Sequence, residues 1–143
     1  MHFYSWNVNG FRSVLRQGFM AWLEAADPDV LSLQEIRADW EQVDLGVRRE
    51  LEAAFDVAWF PAVSKKGYAG SATLSKKELG FSHAKGLGVE DYDREGRAVV
   101  SRRDDLVFVG GDFPNASAGL ARLDYKRRFA RDLAACAARE HGQ

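Results

Sequence analysis

An α/β fold, a sheet with helices packed on it, is predicted by three features of this sequence. Two short runs near the start, residues 2–8 and 30–34, have the apolar and aromatic content of strands, and each ends in oxygen-bearing side chains. The stretches that follow them place apolar residues at helical spacing. Beyond residue 55 the chain is strand-rich and punctuated by glycine, and it closes on one more helical stretch. The order βαβα, then β, then α is that of a sheet flanked by helices.

Each element has its own warrant. Residues 2–8 alternate and carry Phe3, Tyr4, Trp6 and Val8. Residues 13–26 read as a helix capped by Ser13, with Leu15, Phe19, Trp22, Leu23 and Ala26 on one face. The turn "DPD" at 27–29 leads into the second strand, 30–34. A second helix spans 39–54, with Trp40, Val43, Val47, Leu51 and Ala54 inward. Further strands are expected at 57–63, 71–75, 98–101 and 106–109, the last two joined by a hairpin turn at "RRDD", 102–105. A final helix covers 122–139, with Leu123, Phe129 or Ala130, Leu133 and Ala137 inward.

Composition bounds the function. The 143 residues fit one domain, and 46% hydrophobic with 29% charged content suits a globular protein. A net charge of -1 leaves any nucleic-acid contact to local patches. One cysteine, Cys136, precludes an internal disulfide; its alanine-rich helical setting reads as core. No run reaches the roughly 18 apolar residues of a membrane helix. The chain begins directly on a strand, without the pattern of a secretory signal, so a cytoplasmic location is expected.

Several clusters carry chemistry, each with a plainer structural reading. Asn7 and Glu35 end the first two strands; if those strands are parallel neighbours, an amide and a carboxylate oxygen meet at the sheet edge where α/β folds hold ligands. The plainer reading is that both residues merely end strands and hydrogen-bond a loop. "KKGYAG", 65–70, combines lysines, a glycine turn and Tyr68, and reads as a phosphate or groove contact or as a solvated loop. "REGR", 94–97, and "ARLDYKRRFAR", 121–131, are basic patches suited to a nucleic-acid backbone or to solvent. "GGDFPNASAG", 110–119, offers Asp112 and Asn115 on a glycine-rich loop. His2, His83 and His141 lack ligand spacing and read as structural or surface residues.

Taken in order, "SWNVNGFRSV", "DPDVLSLQEIR", "KKGYAGSATLSK", "EGR" and "DFPNASAGLARLDYKRRF" resemble the exonuclease III-like apurinic/apyrimidinic endonucleases of the endonuclease/exonuclease/phosphatase superfamily. The resemblance covers nearly the whole chain. It implies one Mg²⁺ (or Mn²⁺) site at Glu35 and Asn7, with Asn9 close by. It also implies double-stranded DNA contacts from Lys66, Gly67 and Tyr68 in the minor groove, and from Arg12, Arg97 and Arg122 on the backbone. Asn115 matches an asparagine near the phosphate. Asp112 stands where the family has a tyrosine; a tyrosine hydroxyl donates to phosphate, whereas an ionised aspartate only accepts.

Family members are close to twice this length and consist of two similar halves in a four-layer α/β sandwich. Residues 1–143 are expected to form a single domain equal to the N-terminal half, with helices on one face of its sheet. The family's water-activating "GDxN" aspartate, a second metal-side aspartate and a terminal Asp–His pair have no counterpart here, which would weaken the metal site. The opposite sheet face is expected to be apolar and uncovered, calling for a second-half chain, a homodimer or reorganised helices. The implied reaction is Mg²⁺-dependent phosphodiester hydrolysis: incision at abasic sites or 3′-to-5′ exonuclease trimming. A split nuclease needing a partner chain, an inactive remnant and a DNA-binding module without chemistry stand as alternatives. A phosphatase acting on another substrate fits less well with the "KGY" loop.

Overall fold

A computed structural model describes residues 1–65, 67–114 and 120–141. Strand β1 (Phe3–Asn7) runs parallel to β2 (Val30–Gln34), with Asn7 opposite Gln34. The connection is two helices, α1 (Phe11–Arg16) and α2 (Phe19–Ala26), where the periodicity predicts one. Gly18, at φ +99°, breaks the run, because the left-handed region cannot continue a right-handed helix. The start also moves, from Ser13 to a cap at Gly10. The helix expected over 39–54 likewise divides. A 3-10 turn at Trp40–Gln42 precedes α3 (Leu45–Ala54), and the Asp44 carboxylate accepts from the Val47 N–H at 3.2 Å to start the new helix.

Strands β3 (Phe55–Phe60) and β4 (Ser71–Lys76) complete a four-stranded sheet in the order β1-β2-β4-β3. The expected strand at 57–63 begins two residues earlier and stops before Pro61. A second sheet, in the order β5-β6-β7, contains β5 (Ser82–Lys85), β6 (Ala98–Arg103) and β7 (Leu106–Gly111). The "RRDD" turn tightens to Asp104 and Asp105, with Arg103 paired to Leu106 and Asp104 at φ +50°. Strand β5 and the short helix α4 (Glu90–Asp93) have no counterpart in the sequence expectation. Helix α5 (Leu120–His141) extends the predicted one at both ends.

The sheets pack face to face, β7 over β2 and β4, β6 over β4 and β3, and β5 over β3. On the outer face of the first sheet, Leu31, Leu33, Ala72, Leu74 and Trp59 meet Phe11, Phe19, Leu23 and Leu51 from the helices. Each large side chain buried there contributes roughly 1.5–3 kcal/mol. On the outer face of the second sheet, Ala98 packs with Tyr92, Tyr125 and Phe129 from α4 and α5. The α/β class is as expected, but the chain carries two sheets of its own, in helix–sheet–sheet–helix order, rather than one sheet with helices on one face.

The inner face corrects one expectation. It is not a bare apolar surface: Ser32, Ser71, Thr73 and Ser75 occupy it, all buried, under the chain's own second sheet. The sheets approach closely because the facing residues are small. A Cβ added at Gly110 would come within 2.5 Å of the Ser32 Oγ. Cys136 is buried, as its setting implied. Among the described residues, no helix is long and apolar enough to cross a membrane.

Candidate functional site

Parallel pairing of β1 with β2 brings Asn7 and Glu35 to the same sheet edge. The chain beyond each strand stays laced to the other: Val8 donates to the Gln34 carbonyl at 3.0 Å, Gly10 to the Glu35 carbonyl at 2.8 Å and Phe11 to the Ile36 carbonyl at 2.9 Å. On the other side of β2, Ile36 and Arg37 donate to Gly70 and Ala69 at 3.2 and 3.0 Å. Gln34 ties the two strands from within, its Nε2 donating to the Ser5 and Ser32 hydroxyls, both at 3.0 Å. The edge is strained as well as braced. Asn9 (φ +49°), Glu35 (+54°), Arg37 (+54°) and Ala69 (+51°) all adopt left-handed conformations along it. Each non-glycine residue so placed costs about 1–2 kcal/mol, and such strain concentrates at functional sites.

The donor set suits a hard cation that keeps most of its water. The Glu35 side chain is 28% exposed and pairs with Arg37 at 3.3 Å. The Asn7 Oδ1 accepts from the Asn9 N–H at 3.1 Å and retains a second lone pair. Among the described residues, no group of three or more His, Cys, Asp or Glu side chains forms a ligand cluster.

Asp112 is not an open ligand. It is 2% exposed, and the nearby Glu35 backbone N–H favours its charged form. Its Oδ2 lies 3.3 Å from the Arg97 Nη1, an ion pair without hydrogen-bond geometry. Burial pushes the carboxyl up to about 6, against the pull of Arg97 and with the nearby charge of Glu35 adding to the rise.

Arg97, expected on the DNA backbone, is 2% exposed. It donates to the Glu95 carboxylate at 2.8 Å, to the Tyr68 hydroxyl at 3.2 Å and to the Asp112 carbonyl at 3.2 Å. It also lies 5.6 Å from the centre of the Tyr68 ring. Arg97 therefore holds Tyr68 and the loop before β4. The glycine of "EGR" is required by packing: Gly96, at φ +63°, leaves no room for a Cβ against the Phe60 carbonyl.

The other predicted contacts divide. Arg12 is exposed and lines an open cavity of about 420 Å³ with Asn9, Arg16, Arg37 and Gly67. Lys66 and Asn115 lie outside the described residues, as does the side chain of Arg122. The sequence reading missed Arg16 and Arg37, which join Arg12 only in three dimensions. It also passed over Glu95, which stands inside the quoted "REGR" but was weighed only for its arginines.

This α/β sandwich, with an amide and a carboxylate at paired strand ends, belongs to the endonuclease/exonuclease/phosphatase family, whose sequence model matches residues 4–141. The chain is 38% identical over 130 residues to an exodeoxyribonuclease of Bacillus subtilis (strain 168), covering 90% of this chain and 49% of that protein. It is 35% identical over 132 residues to the DNA repair nuclease APEX1 of Danio rerio, covering 92% and 42%. The crystal structure of the AP endonuclease LMAP from Leishmania major superposes with a TM-score of 0.75 at 25% identity, over 93% of this chain and 46% of that one. The chain thus spans about half the length of the curated relatives it matches.

Proposed function

We propose that this chain is the metal-holding portion of a Mg²⁺-dependent DNA phosphodiester hydrolase, acting at abasic sites or 3′ ends. The observation that carries this reading is the convergence of Asn7 and Glu35 at one strained edge, beside a cavity lined by three arginines. Glu35 and Asn7 would hold the cation, which when bound supplies a Lewis acid for the scissile phosphate. Gln34 fixes the spacing of the two strand ends. Arg12, Arg16 and Arg37 neutralise the approaching backbone, and Tyr68, held by Arg97, is presented to the groove. Asp112 orients Arg97 beneath the site; its engagement there leaves the metal to Glu35 and Asn7.

The test is incision of a labelled duplex containing one abasic site, with Mg²⁺ and with any partner chain present. Cutting abolished by EDTA and by Glu35→Ala supports the reading; cutting that survives both removes Glu35 from the metal site. A second reading, a DNA-binding module without chemistry, is favoured by one observation: the arginine-lined cavity is formed, whereas a cluster of three acidic or imidazole ligands is absent among the described residues. Metal-independent duplex binding without cutting would select it.

A further inference from the structure

Two charged side chains of the strained edge flank one buried anchor. Ile36 is 0% exposed and belongs to the core between the first sheet and its helices. Its N–H donates to the Gly70 carbonyl at 3.2 Å, and the next N–H, of Arg37, to the Ala69 carbonyl at 3.0 Å. On either side of Ile36, Glu35 and Arg37 both sit at φ +54°. Their backbone is held, whereas their side chains are 28% and 43% exposed and have room to move. The two meet across the anchor, the Arg37 Nη2 donating to the Glu35 Oε2 at 3.3 Å.

Arg37 also faces a second place for an anion. It lines the cavity of about 420 Å³ with Arg12 and Arg16, and its carbonyl accepts from the Arg12 Nη2 at 3.5 Å. Among the described residues, Arg37 is the only one that both pairs with Glu35 and lines this cavity. A guanidinium so placed answers to charge on both sides. A divalent cation at Glu35 repels it, and a phosphate in the cavity attracts it.

We propose that Arg37 is a movable counter-ion that couples metal binding at Glu35 to phosphate binding in the arginine-lined cavity. The inference rests on the reading of Glu35 as a metal ligand. Glu35 must release Arg37 before its carboxylate is free for a cation, so the pair lowers metal affinity. A DNA phosphate that draws Arg37 into the cavity removes the competitor and restores that affinity. Linkage makes the effect reciprocal: metal at Glu35 frees Arg37 for the phosphate and tightens the duplex by the same factor. An ion pair this exposed sets a modest factor, about two- to fivefold. Arg12 and Arg16 bind phosphate without this coupling, because neither pairs with Glu35.

Mn²⁺ binding to the full chain, read from the electron paramagnetic resonance signal of the free ion, tests this without relying on cutting. The DNA is a dumbbell duplex, closed at both ends and free of abasic sites, at saturating concentration. Arg37→Gln should tighten Mn²⁺ about two- to fivefold in the absence of DNA. The further tightening that the dumbbell brings should be smaller in this variant than in the unsubstituted chain, by that same factor. Arg37→Lys, which keeps the charge, should restore the unsubstituted pattern. Lys77→Gln, which removes a charge at the β3 flank, should change neither quantity. Arg37→Met stands in if Arg37→Gln does not fold by circular dichroism. Mn²⁺ binding that survives Glu35→Ala, or a folded chain that binds no Mn²⁺, overturns the metal reading and the inference with it. Binding that needs Glu35 but is unchanged or weakened by Arg37→Gln overturns the coupling alone. So does a dumbbell effect of equal size with and without the Arg37 charge.

Discussion

Arg97 shows how one buried cation organises the site from beneath. The Glu95 and Asp112 carboxylates flank it, and Tyr68 hangs from it. Asp112 keeps a carboxyl raised to about 6 even beside this cation, so the cost of burial exceeds what the pair returns. The sign matters for mutation. Arg97→Ala leaves two enclosed carboxylates without their cation and should cost about 3–5 kcal/mol, the range for breaking one side of a buried pair. Urea unfolding at neutral pH measures it. A loss below about 1 kcal/mol would mean that water reaches the cluster and replaces the guanidinium. Arg97→Lys should fall between, since a single ammonium keeps the charge but cannot serve Glu95, Asp112 and Tyr68 together.

At the level of elements, the second sheet docks on the first through hydroxyls and one imidazole. The His83 Nε2 lies 3.0 Å from the Ser75 Oγ of β4, and its Nδ1 lies 2.6 Å from the Ser101 Oγ of β6. Burial lowers the His83 pKa from its ordinary value, with Asp56 pulling the other way. A depressed histidine favours the neutral ring in the fold, so its stabilisation is complete above the unfolded value near pH 6.5 and is lost as pH falls below it. Thermal midpoints from about pH 8 to about pH 5 should therefore fall more steeply for the unsubstituted chain than for His83→Gln. Asp112 acts in the opposite sense in both proteins and cancels in the difference. Parallel curves would show that His83 titrates as if in water.

The same interface marks what was legible in the sequence. The strand ends at Asn7 and Glu35, the β6–β7 hairpin and the final helix could be read locally, because turn residues and apolar spacing are local signals. The strand expected at 71–75 implies one face for Ser71, Thr73 and Ser75, since successive side chains alternate. It could not show that another sheet covers that face, since a hydroxyl against a sheet and a hydroxyl against water look alike in a sequence. Strand β5, SHAK, has no apolar alternation and lies largely exposed; backbone pairing with β6 and the His83 contacts define it. Gly18 was visible, but a single glycine is compatible with a continuous helix until its φ is known.

For the whole molecule, a net charge of -1 means that duplex binding must come from an uneven distribution of charge. The described arginines that converge on the Glu35 edge are Arg12, Arg16 and Arg37, whereas the cavity at the β3–β5 flank mixes Lys77 and Lys85 with Asp39, Glu41, Glu52 and Asp56. Each phosphate neutralised releases counterions and adds about 0.9 to the slope of log affinity against log salt. Replacing Arg12 and Arg16 together by alanine should lower that slope by about 2. Replacing Lys77 and Lys85 should leave it unchanged, because neighbouring carboxylates already offset those lysines. Fluorescence anisotropy of a labelled duplex, titrated at several salt concentrations with EDTA present, separates this electrostatic footprint from any metal contribution. Equal slopes for both double variants would place the DNA elsewhere and detach the arginine-lined cavity from the strand ends it borders.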